Sequence, residues 1–200
     1  FTEQLRDDAF AAARESERRY SGGGPIRPLE GVPLALKEEQ PIAGRTIEEG
    51  SLLEQGHVAE VTHPVVDRVV AAGAVVHART TTPEFSCAVF THSRLWGVTR
   101  NPWNTEMTPG GSSGGSGASL AAGTTILATG SDIGGSIRVP AAFCGVFGHK
   151  PSYGIAPLRG HSPPGLDGAD IPLGVVGPMA RTAADLDLAL GVLAGPAPDE

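Results

Sequence analysis

Two segments decide how the chain is interpreted: Thr108-Pro-Gly-Gly-Ser-Ser-Gly-Gly-Ser-Gly117 and Gly130-Ser-Asp-Ile-Gly-Gly-Ser-Ile-Arg138. Each segment contains a Gly-Gly-Ser unit. A flexible linker is also rich in Gly and Ser, but it is polar throughout. The residues between the two segments include Leu120, Ile126 and Leu127, which predict a buried core segment instead.

Glycine beside serine has a use in acyl-transfer chemistry. Backbone without Cβ turns tightly and points several N–H groups at one place, which suits an anionic tetrahedral intermediate. A serine nucleophile also needs a base. None of the six histidines lies in a motif that connects to these serines.

A lysine is the alternative base, because burial lowers its pKa. Lys37 ends the apolar run Gly31-Val-Pro-Leu-Ala-Leu-Lys37, which predicts a buried strand. Glu38 and Glu39 follow at once, so a solvated salt bridge is the competing interpretation of this lysine. The apolar flank Leu34-Ala-Leu36 favours a desolvated lysine.

At these residues the chain resembles the amidase signature family of serine hydrolases. The resemblance covers 29–193 and rests on four motifs in order: the run ending in Lys37, Pro109–Ser116, Gly130–Pro140, and Phe143-Cys-Gly145 followed by Lys150-Pro151. Lys37 and Ser112 are 75 positions apart, and Ser112 and Ser136 are 24 apart, as in the family. The continuation Glu39-Gln-Pro41 is less usual for the family.

The resemblance implies amide hydrolysis by a Ser-Ser-Lys triad through an acyl-enzyme. In this triad Ser136 is the nucleophile, Ser112 relays protons and Lys37 is the base. The resemblance also implies a cis Gly111–Ser112 bond. The N–H groups expected to surround the oxyanion belong to Ile133, Gly134, Gly135 and Ser136.

The residues around the two serines have expected supporting roles. Ser113 formally matches G-x-S-x-G, but no strand directly precedes it, so we reject a nucleophile elbow and expect a supporting hydrogen-bond donor. Asp132 and Arg138 flank the Ser136 turn, and we expect them to hold its shape by an ion pair or backbone bonds. We expect Ser131 to be structural.

The pattern predicts an α/β fold: a mixed, mostly parallel β-sheet flanked by helices, as one incomplete amidase-signature domain over 1–200. A strand–helix–strand order near Lys37 indicates a βαβ unit. The predicted strands are 32–36, 74–78 and 124–129. The predicted helices are 1–20, one beginning at Pro64 and ended by Gly73, a short one after Pro83, 116–122, 140–147, and one capped by Thr182 that runs to Leu193.

Composition excludes several function classes. The chain has 200 residues, of which 40% are hydrophobic, enough for a globular core. Its net charge of −7, without a basic stripe, argues against nucleic-acid and membrane partners. No metal or cofactor motif occurs, so we predict none and expect a small amide substrate. The sequence leaves a homodimer open.

Other features concern location and extent. Cys87 and Cys144 are expected to be free, reduced and buried thiols, Cys144 packing behind the site, and we expect a cytoplasmic protein. Since the chain starts at Phe1 and family members are longer, we expect an internal part of a longer chain, with any targeting segment upstream of Phe1. The segment 92–109, with Trp96 and Trp103, either lines a substrate entrance or packs as a surface loop.

Two other functions stay open from the sequence. One is a subunit that releases ammonia from glutamine for a tRNA-dependent amidotransferase, with the same triad. The other is an inactive truncated fragment. The identity of the amide is not encoded in any motif of the chain.

Overall fold

Across residues 1–160 and 171–196, which the computed structural model describes, the chain forms eight strands and five α-helices. The strands are β1 (Glu3–Gln4), β2 (Pro33–Lys37), β3 (Val75–Thr80), β4 (His92–Ser93), β5 (Gly97–Val98), β6 (Leu127–Asp132), β7 (Phe147–Gly148) and β8 (Val175–Ala180). The helices are α1 (Arg6–Gly22), α2 (Pro64–Ala71), α3 (Gly114–Ala121), α4 (Arg138–Cys144) and α5 (Ala183–Leu193).

Six of these strands form one mixed sheet in the order β1-β3-β2-β6-β8-β7. The central strands β3, β2 and β6 are parallel, whereas β1 and β8 run antiparallel to their inner neighbours. β7 is antiparallel to β8 and so runs in the direction of the central strands. Strands β4 and β5 form a separate hairpin. The predicted mixed sheet flanked by helices is therefore confirmed. It is less parallel than predicted: four of its six strands run in one direction, but only two of its five strand pairs are parallel.

Two apolar clusters lie on opposite faces of the sheet. The larger joins β2 to α2 and α5, and includes Leu34, Leu36, Val65 and Leu193. The smaller joins β6 and β8 to α3 and α4. Successive side chains of a strand point to opposite faces. Because Leu34 and Leu36 face the larger cluster, Lys37 is left on the other face, toward the start of α3.

The predicted βαβ unit is confirmed as β2–α2–β3. His63 precedes Pro64, and its Nδ1 accepts a hydrogen bond from Val65 N at 3.1 Å. Pro64 suits the first helical position because its nitrogen has no hydrogen to leave unpaired. Gly73, at φ 96°, turns the chain into β3. The predicted cap of α5 is also present, since Asp185 N donates to Thr182 Oγ1 at 3.1 Å.

The predicted N-terminal helix is wrong at its start. Residues 3–4 pair with β3, and helix α1 begins only at Arg6. The N–H groups of Thr2 and Leu5 donate to carbonyl groups of β3, both at 2.9 Å. An available sheet edge therefore overrides local helix propensity here.

Other predicted boundaries shift. The strand predicted at 124–129 lies at Leu127–Asp132 instead. It extends to Asp132 because the small and polar residues 130–132 also pair with β8. The helix predicted at 140–147 ends at Cys144, since Gly145 adopts a left-handed conformation, and residues 147–148 form an edge strand. The helix predicted at 116–122 starts at Gly114.

Two regions expected to be irregular or helical also differ. Strand β8 begins inside the segment 154–177, which was expected to be loop-rich, and continues beyond its end. The Pro163-Pro164-Gly165 part of that segment lies outside the described residues. The helix expected after Pro83 is a single 3₁₀ turn, Glu84–Ser86, in which Phe85 has a φ of 49°. The segment 92–109 holds the β4–β5 hairpin.

Candidate active site

The site lies where the parallel strands β2 and β6 end. Lys37 is the last residue of β2, and Asp132 is the last residue of β6. Carboxyl ends of parallel strands share one edge of a sheet, which is where open α/β sheets place ligands. The turns that follow both strands therefore come together with the glycine-rich segment before α3.

Lys37 is completely buried among polar partners. Its Nζ donates to Ser112 Oγ at 2.7 Å and to Ser131 Oγ at 2.9 Å. Glu39 Oε1 lies 2.8 Å from the same nitrogen. Burial lowers the pKa of Lys37, while the charge of Glu39 and, to a lesser degree, of Glu49 and Asp132 opposes this shift. A buried lysine with a lowered pKa is able to act as a base.

Ser112 is held between Lys37 and the start of α3. The Gly111–Ser112 peptide bond is cis, as the resemblance implies. The neighbouring Ser113 N–H donates to Ser136 O at 3.1 Å, which ties the two serine segments together. Ser113 Oγ also bonds to the backbone of Ser131, donating to its O at 3.4 Å and accepting from its N at 3.3 Å. The side chain of Ser113 is therefore held by the backbone of Ser131, and its supporting role in the site stays a prediction.

The turn between β6 and α4 carries Ser136, which is partly exposed. Asp132 holds this turn. Its carboxylate accepts from the N–H groups of Gly135, Ile137 and Arg138 at 2.8, 3.1 and 3.3 Å. Arg138 also donates to both carboxylate oxygens, from Nε at 3.0 Å and from Nη2 at 2.9 Å.

The pKa of Asp132 reflects these contacts. Burial alone would raise it, but the hydrogen bonds from Arg138 and from the three backbone N–H groups hold the pKa of Asp132 below its ordinary value. The carboxylate is therefore ionised and shapes the turn at neutral pH. The ion pair and the backbone bonds expected for Asp132 and Arg138 are both present, while their role in the site stays a prediction.

The structure differs in two details from the site expected from the sequence. The Gly135 N–H donates to Asp132, whereas no described residue accepts from the N–H groups of Ile133, Gly134 or Ser136. Three of the four N–H groups expected at the oxyanion thus remain available. No hydrogen bond joins Ser112 Oγ to Ser136 Oγ in this structure, although the N–H of the neighbouring Ser113 donates to Ser136 O.

Sequence reasoning missed two contacts of Lys37. Ser131 was expected to be structural, yet its hydroxyl accepts from Lys37 Nζ. Glu39 figured only as part of a solvated pair, yet it is 4% exposed and contacts the lysine. The departure from the family pattern at Glu39-Gln-Pro41 was the signal that could have drawn attention to Glu39.

The tryptophan-bearing segment borders α4. Trp103 Nε1 donates to Cys144 O at 2.7 Å, while the ring is 73% exposed. Cys144 is buried, and burial raises the pKa of its thiol to about 11, which fits packing rather than nucleophilic chemistry. The expectation that Cys87 is buried is wrong, since it directly follows the 3₁₀ turn Glu84–Ser86 and is exposed. Within residues 1–160 and 171–196 no His, Cys, Asp or Glu cluster is placed to hold a metal. Among the described helices, none has the length and apolar content to cross a bilayer.

Comparison with known proteins decides the family. A family model described as Amidase matches residues 1–200. The chain belongs to the amidase family. The chain is 45% identical over 184 residues to a putative amidase AmiB2 of Mycobacterium bovis, covering 92% of the chain and 38% of that protein.

Two further relatives show the range of the family. One is a glutamyl-tRNA(Gln) amidotransferase subunit of Carboxydothermus hydrogenoformans, 41% identical over 195 residues, covering 98% of the chain and 39% of that protein. The other is a solved structure described as a vestigial protein complex that reveals the evolutionary origins of an s-triazine catabolic enzyme. It has a TM-score of 0.91 and 39% identity over 99% of the chain and 42% of its own. The chain therefore spans about two fifths of these relatives' lengths.

Proposed function

We propose that the protein hydrolyses the carbon–nitrogen bond of a carboxylic amide through an acyl-enzyme on Ser136. The observation that carries this proposal is the 2.7 Å hydrogen bond between the buried Lys37 Nζ and Ser112 Oγ, beside the turn that presents Ser136. A buried amine next to a hydroxyl supplies the base that a serine nucleophile needs.

In the first step neutral Lys37 takes a proton from Ser112 as Ser112 takes one from Ser136. Ser136 Oγ then bonds to the carbonyl carbon. Relay contacts are often incomplete without substrate, so we expect the Ser136 side chain to turn toward Ser112 when substrate binds. Rotation about its Cα–Cβ bond moves only the hydroxyl, leaving the bond between Ser136 O and Ser113 N in place.

The N–H groups of Ile133, Gly134 and Ser136 are the proposed donors to the oxyanion. As the tetrahedral intermediate collapses, the proton on Lys37 returns through Ser112 to the leaving nitrogen, the C–N bond breaks and the amine departs. Water then attacks the acyl group by the same proton route and restores Ser136. Protonating the leaving nitrogen matters because an amine anion is a poor leaving group.

A second candidate is glutamine hydrolysis within an amidotransferase assembly. The observation that favours it is the 41% identity to the amidotransferase relative. The chemistry at Ser136 would be the same, with ammonia as the leaving group. Ammonia release from L-glutamine, with no turnover of other amides, would favour this candidate over a free-standing amidase.

The test is a panel of aliphatic, aryl and peptide amides and L-glutamine, run on the full-length protein and its variants. We expect Ser136→Ala and Lys37→Ala each to lower kcat/KM by about 10³-fold or more. High pH should partly relieve the loss in Lys37→Ala, because hydroxide replaces the missing base. Ser152→Ala, which alters an exposed serine, is the matched control and should behave as wild type.

A fluorophosphonate label provides a readout that needs no known substrate. Ser136 Oγ would bond to phosphorus as fluoride leaves, and peptide mapping would place the label. A label on another serine contradicts the nucleophile assignment. Absence of both labelling and turnover in a folded protein would favour an inactive chain.

A further inference from the structure

Glu39 lies against the proposed base in a place without solvent. Its Oε1 is 2.8 Å from Lys37 Nζ, and its side chain is 5% exposed. Ser86 Oγ donates to the other carboxylate oxygen, Oε2, which fixes the carboxyl plane. The chain brings Glu39 back beside Lys37 by a tight turn, since Gln40 N donates to Lys37 O at 3.0 Å.

The other acidic side chains near Lys37 are bound to other residues or lie farther from its Nζ. Asp132 is paired with Arg138. The Glu38 carboxylate accepts from the N–H groups of Glu48 and Glu49, at 2.7 and 3.1 Å, and lies 3.8 Å from Arg79. Among these acidic side chains, only that of Glu39 is in direct contact with Lys37 Nζ.

Glu49 is a further acidic residue whose charge would act on Lys37. Burial first, and then repulsion from Glu39 and Glu38, raise the pKa of Glu49 to about 8, with a smaller contribution from Glu54. Glu49 is therefore mostly uncharged at pH 7 and adds little negative charge beside the lysine. The carboxylate in direct contact with Lys37 is that of Glu39, whose charge raises the pKa of the lysine against the lowering effect of burial.

We propose that Glu39 is a positioning residue that holds the amine of Lys37 toward Ser112 and, by stabilising its ammonium form, sets the pH above which the relay works. This inference rests on the proposed function, in which Lys37 acts as an uncharged base. Glu39 helps orient the amine but favours its protonated form. A lysine beside a neutral residue would lose its proton at lower pH, because the stabilising charge would be gone.

The sign of the effect follows from this geometry. Lys37 is active when uncharged, so the rate rises with pH through the lysine's own titration. Glu39→Gln removes the negative charge, keeps the size of the side chain and one acceptor oxygen, and replaces the other oxygen by an N–H donor. The acid limb of the pH–rate profile should therefore move to lower pH, by about one unit or more. Below the wild-type limb this corresponds to a roughly tenfold faster reaction.

The experiment measures the rate of fluorophosphonate labelling of Ser136 from pH 5 to 10 on the full-length protein, for wild type and Glu39→Gln. The control is Glu60→Gln, an exposed acidic residue in the same connection between β2 and α2, whose profile should match wild type. Glu39→Asp keeps the charge but withdraws it by one methylene, so its limb should lie between those of wild type and Glu39→Gln.

Each outcome decides one point. A Glu39→Gln limb that coincides with wild type, in a protein of unchanged melting temperature, overturns the inference about Glu39 alone. If Glu39→Gln does not fold, Glu39→Asp carries the test, and an unmoved limb in that variant overturns it equally. If Lys37→Ala and Ser136→Ala label like wild type, the proposed function itself fails, whatever Glu39 does.

Discussion

Gly115, near the start of α3, lies so close to the backbone of Thr81 that no larger side chain fits there. A Cβ placed there would lie 2.5 Å from Thr81 N and 2.6 Å from Thr81 O, both backbone atoms that cannot move aside independently. We expect Gly115→Ala to lower the free energy of unfolding by about 2–3 kcal/mol, as overpacking does. Gly191→Ala is the matched control, because Gly191 lies in α5 and a Cβ placed there would have nothing within 4 Å of it.

In that exposed helix interior, alanine should leave the free energy of unfolding unchanged or raise it by up to about 1 kcal/mol. Denaturant unfolding of both variants measures the contrast. Equal effects of the two substitutions would mean that the approach of α3 to Thr81 is not as tight as the structure has it.

At the same scale, the contact between Lys37 and Ser112 was predictable from the sequence, because their motifs are long and specific. It did not reveal that Glu39 turns back onto the lysine. The strand period of two predicts where Lys37 points, but it ends with the strand, and Glu39 lies two residues beyond β2. Where a side chain goes after the last strand residue depends on the turn, here closed by the Gln40 N–Lys37 O hydrogen bond.

Among the elements, the turn from β6 to α4 depends on one carboxylate. Asp132→Asn removes the negative charge that pairs with Arg138 and replaces one acceptor oxygen by a donor. We expect the free energy of unfolding at pH 7 to fall by about 1–3 kcal/mol. Since the turn presents Ser136, the labelling rate should fall as well.

The pH dependence of stability has a definite sign for this group. The pKa of Asp132 is lower in the folded protein than in the unfolded chain, so its contribution is present above about pH 4 and is lost as pH falls through the folded value. The stability difference between wild type and Asp132→Asn should therefore shrink as pH falls below 4. Asp187→Asn, at an exposed position of α5, should show no such trend, and a difference that stays constant with pH would contradict the assignment.

Elements were predictable where local signals agreed with the fold. The β2–α2–β3 unit carries Pro64 at the helix start and Gly73 after its end, so its order and type followed from sequence. Strand β8 was missed because Gly177 and Pro178 interrupt its apolar pattern, and its place is set by pairing with β6. Strand β1 was missed because two residues at a sheet edge carry too little pattern to compete with a helical segment.

At the scale of the whole molecule, a group of exposed apolar residues lies on the surface. Trp103, Met107 and Phe143, here called the Trp103 patch, are 73%, 58% and 52% exposed. Asn101 holds their backbones together, bonding to Trp103 N at 3.0 Å, Met107 O at 3.0 Å and Phe143 O at 2.8 Å. Exposed apolar residues on backbone segments linked in this way attract other apolar surfaces.

We therefore expect the 200-residue chain to bind a hydrophobic dye and to self-associate most strongly near its isoelectric point of about 5.3, where the net charge that opposes association at pH 7 has vanished. Trp103→Ser should reduce both dye fluorescence and light scattering across this pH range. Leu53→Ser, at an 84% exposed leucine outside the patch, is the control. If the two substitutions reduce dye binding equally, the effect comes from general surface hydrophobicity and not from the Trp103 patch.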